Sequence, residues 1–132
     1  MGKINNNFLL DTNTLIYFFN GLVEDEEIYN ILKKSFNISI ITKIEFLSWK
    51  ELSINNQLQK KATEFIENAK IYTLNDEIAK KTIKNRQLYK IKIPDAIIAA
   101  TAQIYGFKLV TNNVKDFEHL NLEIISMKLN IQ

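Results

Sequence analysis

Residues 93–111 run Ile93-Pro94-Asp95-Ala96-Ile97-Ile98-Ala99-Ala100-Thr101-Ala102-Gln103-Ile104-Tyr105-Gly106-Phe107-Lys108-Leu109-Val110-Thr111. They read as a buried helix followed by a buried strand. Pro94 suits the first position of a helix, where its missing N–H is no loss. Apolar side chains then continue through Ile97, Ile98, Ala99, Ala100 and Ala102 until Gly106. A helix that is apolar almost all round is central rather than peripheral, and its small residues permit close approach to a sheet. Residues 108–111 supply the next strand.

The same alternation extends in both directions. Phe8-Leu9-Leu10 is a short apolar run ending at Asp11 and predicts a buried strand. A helix is expected over 14–19, interrupted at Gly21, and another over 25–34 with Ile28, Ile31 and Leu32 at helical spacing. A second strand is predicted over 38–41, with Thr42 opening a helix from Lys43 to about Glu51. An amphipathic helix over 57–69 presents Leu58, Ala62, Phe65 and Ile66. After a third strand over 71–74, Asn75 has the chemistry of a helix N-cap, with Asp76 and Glu77 in the first turn, and that helix runs to about Tyr89. A fifth strand is expected over 123–126.

Strands alternating with helices predict an α/β fold, a parallel sheet of about five strands wrapped on both faces as a three-layer α/β/α sandwich. In such sheets, sites form beyond the carboxyl ends of the strands, where the strand order reverses. That rule singles out the residues just after Leu10 and Val110.

At 132 residues the chain is expected to form one domain over 1–132. With no cysteine and a single histidine, His119, thiol nucleophiles, zinc–thiolate sites and multi-histidine metal sites are excluded. The N-terminus is too polar for a signal peptide, and no apolar run approaches the roughly 18 residues of a membrane span. A cytoplasmic protein without membrane contact is therefore expected. The net charge is +2; if four acids gather in one site, the rest of the molecule carries six positive charges in excess. An acidic pocket in a basic surface suits a metal site that must attract a polyanion.

Four acids are candidates for that site. Asp11 directly follows the first strand, where a helix N-cap is the alternative role. Glu45 lies among Ile41, Ile44, Phe46, Leu47 and Trp49, a setting that predicts an embedded carboxylate. Burial of that kind costs several kcal/mol unless the charge is compensated; a lysine partner or a boundary position is the alternative. Asp95 opens the central helix and aims its first turn at the site, or serves only to offset the helix dipole. Asp116 comes shortly after the fourth strand, in Thr111-Asn112-Asn113-Val114-Lys115-Asp116-Phe117, and is either a ligand or an ordinary loop residue. Converging carboxylates repel one another and are pushed toward protonation. A divalent cation resolves the conflict, and an all-oxygen shell suits Mg²⁺ or Mn²⁺.

These segments resemble the PIN-domain family, and most closely its short bacterial members, the VapC-type toxins of toxin–antitoxin pairs. Phe8-Leu9-Leu10-Asp11-Thr12-Asn13 is similar to the family's opening strand and first metal-binding aspartate. The run from Ile41 to Leu47 is similar to its helical second acid, and Ile93 to Ala102 is the most specific segment, carrying the third. The resemblance covers nearly the whole chain. It implies metal-dependent endonucleolytic cleavage of RNA by a metal-activated water, homodimerisation, and a cognate antitoxin. Asp11, Glu45, Asp95 and Asp116 would be both metal ligands and catalytic residues. In the family the fourth acid falls at the position of Asn113 or of Asp116; an amide offers no charge, so Asp116 is favoured, directly or through water. Asn13, Thr111 and Asn113 would orient the carboxylates. Hydrolysis would leave a 5′-phosphate and a 3′-hydroxyl without needing the 2′-hydroxyl, so RNA preference must come from shape and 2′-OH contacts.

From Ile78 to Pro94 there is no acid, while Lys80, Lys81, Lys84, Arg86, Lys90 and Lys92 all occur. This stretch is either a solvated helix face or a track delivering RNA to Asp95, with Lys84, Arg86, Lys90 and Lys92 the candidate contacts. Arg86 is expected to turn toward the acidic pocket. Trp49, Tyr72, Tyr89 and Tyr105 are core aromatics or base-stacking residues, with the core favoured by their helical spacing, and His119 is expected at the surface.

Two other functions compete. A catalytically idle fold kept as a binding or scaffold module would not need Asp11, Glu45 and Asp95 together. A phosphoacceptor receiver-type signalling domain would place an acid after the mid-chain strand, whereas Lys70-Ile71-Tyr72-Thr73-Leu74 ends without one.

Overall fold

Three consecutive apolar residues, Phe8–Leu10, form the central strand β1 in the computed structural model, which describes residues 7–129. Helices α1 (Thr12–Phe19) and α2 (Glu26–Lys34) follow, then β2 (Asn37–Ser39) and α3 (Ile40–Leu47). After a 3₁₀ turn over Lys50–Ser53 come α4 (Asn56–Ile66), β3 (Lys70–Tyr72), α5 (Asp76–Leu88) and α6 (Ile93–Tyr105). The chain closes with β4 (Lys108–Val110), the short α7 (Val114–Phe117) and β5 (Ile124–Ile125).

The five strands are all parallel and lie in the order β3-β2-β1-β4-β5. The strands alternate side chains between two cores, as a pleat of period two requires. Phe8, Leu10 and Val110 face one side, with Leu15 of α1, Leu32 of α2, Phe46 of α3 and Ile66 of α4. Leu9 and Leu109 face the other, against Ala96, Ile98, Ala99 and Ala102 of α6. Ile78 of α5 packs in turn on Ile97 and Ala100 of α6. The expected α/β/α sandwich is therefore present, with α6 buried from Ala96 to Ala102. Its hydroxyl-bearing member, Thr101, is satisfied by donating to the Ile97 carbonyl at 2.8 Å. Gly106 caps this helix at φ 70°, a left-handed conformation that residues with a Cβ rarely adopt.

Asn75 caps α5 as expected, its side chain accepting from the Ile78 N–H at 2.9 Å. The boundary between the second strand and the third helix differs from expectation. The strand ends at Ser39, whose hydroxyl oxygen accepts from the Ile41 N–H at 3.0 Å and starts α3 three residues before Lys43. Apolar Ile40 and Ile41 suit a strand by composition, but the Ser39 cap decides the backbone. The same helix stops at Leu47, and Lys50–Ser53 is a separate 3₁₀ turn. Among the described residues, no helix is long and apolar enough to cross a membrane.

Candidate metal centre

The strand order reverses between β1 and β4, and the residues that follow these two strands meet there. Asp11 is 4% exposed and does two things at once. One carboxylate oxygen, Oδ1, caps α1 by accepting from the Thr14 N–H at 2.8 Å. The other, Oδ2, accepts a short hydrogen bond from the Thr111 hydroxyl. The two roles weighed for Asp11 are thus compatible: a cap uses one oxygen and leaves the other turned toward β4. Thr14 adds a tie of its own, donating its hydroxyl to the Val110 carbonyl at 2.7 Å.

Asp11, Glu45 and Asp95 line one cavity of about 270 Å³ together with Thr12, Asn13 and Asn113. Glu45 reaches it from α3, but not as an embedded charge. It is exposed, and its neighbour Ile44 is 54% exposed. The buried residues of α3 are Thr42 and Phe46, one turn apart, and Glu45 stands beside that stripe rather than within it, where water meets its charge. Its Oε1 accepts a short hydrogen bond from the Thr12 hydroxyl, which also approaches the Thr42 hydroxyl at 3.3 Å. Asp95 stands half-buried in the first turn of α6. Thr12 and Thr14 were not singled out by the sequence; a hydroxyl in the first turn after a candidate acid was the available signal.

The electrostatics record the crowding. Burial pushes the Asp95 carboxyl above its ordinary value, and the negative charges of Asp116, Glu45 and Asp11 push it further, against Lys92. Burial likewise raises Asp11, opposed by the hydrogen bonds from Thr111 and Thr14 and reinforced by Glu45. The acids are thus near enough to repel. Yet among the described residues no group of three acidic or histidine side chains, as they lie, is close enough to hold a metal ion. Concentrated negative charge of this kind attracts a cation without forming a closed all-protein cage.

Asp116 sits one step away. It is exposed on α7 and, with Asp95, lines a neighbouring cleft of about 600 Å³ whose other walls are Arg86, Tyr89, Lys90, Ile91 and Lys92. Of the two candidates for the fourth position, it is Asn113 that lines the cavity of Asp11 and Glu45. Asn113 also donates its backbone N–H to the Thr111 hydroxyl oxygen at 3.0 Å. Arg86 donates its Nε–H to the Ile91 carbonyl at 3.1 Å, which fixes the connection into α6. Lys84 is exposed outside the lining of the cleft. Tyr72 and Tyr105 pack against each other and against Phe107, and Trp49 packs on the core beneath α3. His119 is at the surface, stacked on Tyr89.

Comparison with known proteins agrees with this fold. Curated protein sequences give no match. A chain of a toxin–antitoxin complex from Klebsiella pneumoniae is 28% identical, with 90% of this chain and 96% of that chain covered and a TM-score of 0.71. A chain of the DNA-bound VapBC from Salmonella typhimurium is 27% identical over 91% of this chain and 97% of that one, with a TM-score of 0.75. A chain of VapBC2 from Rickettsia felis, bound to a promoter DNA fragment, is 25% identical over 90% and 97%, with a TM-score of 0.72. The family model of the PIN domain matches residues 8–121. The chain belongs to the PIN-domain family.

Proposed function

We propose that this chain is a metal-dependent endoribonuclease and the toxin of a toxin–antitoxin pair, acting in the cytoplasm as one domain and as a homodimer. The observation that carries this reading is the lining of one cavity by Asp11, Glu45 and Asp95 at the switch point of a PIN-family sheet. The donors are all oxygen, as Mg²⁺ and Mn²⁺ prefer. Mg²⁺ keeps several waters and takes one or two protein carboxylates directly, which fits acids that crowd together without closing on one point. Asp11, Glu45 and Asp95 would hold the ion, directly or through its waters, with Asp116 acting through water. When bound, the ion polarises a phosphodiester and acidifies water.

The remaining work falls to side chains already in place. Thr14 and Thr111 fix Asp11, and Thr12 fixes Glu45. Each carboxylate retains free lone pairs, since two oxygens offer about four acceptor sites. The rigid α6 fixes the backbone of Asp95. Asn13 and Asn113 line the cavity with neutral amides that orient phosphate oxygens without adding charge. Arg86, Lys90 and Lys92 neutralise the RNA backbone beside Asp95. Similarity to chains from a toxin–antitoxin complex and from two VapBC complexes supports an antitoxin partner; a basic side chain from it, entering the acidic cavity, would displace the metal and inhibit.

One observation favours a second reading, an idle fold kept as a binding module: no ready-made group of three ligands occurs among the described residues. The test is cleavage of fluorescent single-stranded RNA with Mg²⁺ or Mn²⁺, with EDTA, and with Asp95→Asn, beside calorimetry with Mn²⁺. Cutting that both EDTA and Asp95→Asn abolish supports the nuclease. Absence of both cutting and Mn²⁺ binding transfers the assignment to the idle module.

A further inference from the structure

Tyr89 ends α5 in an extended backbone conformation, φ −137° and ψ 152°. It is 40% exposed and, among the described residues, belongs to none of the three apolar clusters. In the larger core, Phe18, Phe36 and Phe65 pack edge-on or tilted against one another. Tyr89 has one ring partner among the described residues, the near-parallel His119, with ring centroids 6.4 Å apart and planes 12° from coplanar. That pair joins the end of α5 to the segment just after α7. Tyr89 lines the cleft of about 600 Å³ that Arg86, Lys90, Lys92, Asp95 and Asp116 also line. The volume lies within the roughly 300–1,000 Å³ of sites that enclose small organic groups.

The walls of this cleft sort by chemistry. Three cations suit a phosphate backbone, two carboxylates mark the edge of the acidic cavity, and one exposed ring remains without a role in either. We propose that Tyr89, braced by His119, is a stacking platform for one unpaired base of the RNA, beside the phosphate that Asp95 faces. The proposal rests on the ribonuclease reading and adds to it one residue that contacts a base rather than the backbone. Every base has a π-face, so stacking tolerates sequence while requiring an unpaired base. A base inside a duplex keeps both faces occupied by its neighbours, and an A-form helix offers side chains no route to them. Cations on the same walls favour a nucleotide over an acidic-site-seeking basic peptide.

The experiment measures binding, so that it reads independently of cleavage. Single-stranded RNA carrying one 2-aminopurine is titrated, in EDTA, with the wild-type chain and with Tyr89→Ala, Tyr89→Phe and Tyr89→Trp. The wild type should quench the 2-aminopurine, Tyr89→Ala should bind about tenfold more weakly without quenching, and Tyr89→Phe and Tyr89→Trp should restore both. An abasic site at the stacked position should weaken the wild type by a similar factor and leave Tyr89→Ala almost unaffected. RNA bound equally well by the wild type and Tyr89→Ala, with the same quenching, would overturn the platform while leaving the nuclease standing. A wild-type chain that neither binds nor cuts RNA would overturn both. Equal thermal stability of Tyr89→Phe and Tyr89→Ala shows that a loss is not one of folding.

Discussion

Thr111, just past β4, donates its hydroxyl to Asp11, just past β1, across a separation of 100 residues in sequence. This bond closes the gap at which the strand order reverses. It fixes Oδ2 of a carboxylate whose Oδ1 is already committed to the first turn of α1. The candidate metal ligand is therefore oriented by the fold before any ion arrives.

Thr111→Val keeps the shape of that side chain and removes the donor. A buried acceptor left unsatisfied costs about 1–3 kcal/mol, so urea unfolding should show a loss of that size. The orienting bond matters to the site as well, and Mn²⁺ affinity measured by calorimetry should fall roughly 10- to 100-fold.

Asp95→Asn is expected to separate stability from activity. It removes one charge from a group in which Asp116, Glu45 and Asp11 all oppose it, so the metal-free protein should melt at a higher temperature. Metal-dependent RNA cleavage should drop by at least about 100-fold. A variant that melted lower and cut normally would contradict both expectations.

The pH dependence follows from the raised carboxyls of Asp11 and Asp95. A folded-state value above that of an ordinary carboxyl means that the folded chain binds protons more tightly than the unfolded one. The penalty is fully present above the raised values, is relieved as pH falls through them, and vanishes below the unfolded value. Burial sets most of it; the charges of Glu45 and Asp116 add to it and Lys92 opposes it. In EDTA, the stability advantage of Asp95→Asn over the wild type should therefore shrink as pH falls toward the ordinary carboxylate range and disappear below it. Mg²⁺ should shrink it at neutral pH too, because an ion replaces the protons.

Lys90 and Lys92 line the cleft beside Asp95, whereas Lys84 does not. Replacing Lys90 or Lys92 by Ala should lower the slope of log affinity against log salt by about 0.7 each for single-stranded RNA. Lys84→Ala serves as the control and should leave the slope near its original value.

Ser39→Ala tests the boundary that the sequence placed differently. Loss of an N-cap costs about 0.5–2 kcal/mol, and thermal denaturation should show a loss in this range. A strand continuing through Ile41 would register no such effect, because Ser39 would then cap nothing.

The sequence by itself determined the order and type of most elements, because each long helix must repeat its apolar residues at 3.6 and each buried strand needs a continuous apolar run. Phe8–Leu10, the capped start of α5 at Asn75 and the apolar helix that ends at Gly106 were legible in this way. Strand–helix alternation also pointed to the ends of β1 and β4, where Asp11 and Thr111 indeed meet. What only the tertiary structure decided is how much water and how many neighbours each acid has. Glu45 reads as embedded from its flanking isoleucine, phenylalanine and leucine, yet α3 packs through Thr42 and Phe46 and leaves Glu45 at the boundary, where Thr12 meets it. Tyr89 reads as core by spacing, yet α5 ends there and leaves it on the rim of a cationic cleft. Local pattern fixes which residues face together along one element; burial and charge depend on distances between elements, and those exist only once the chain has folded.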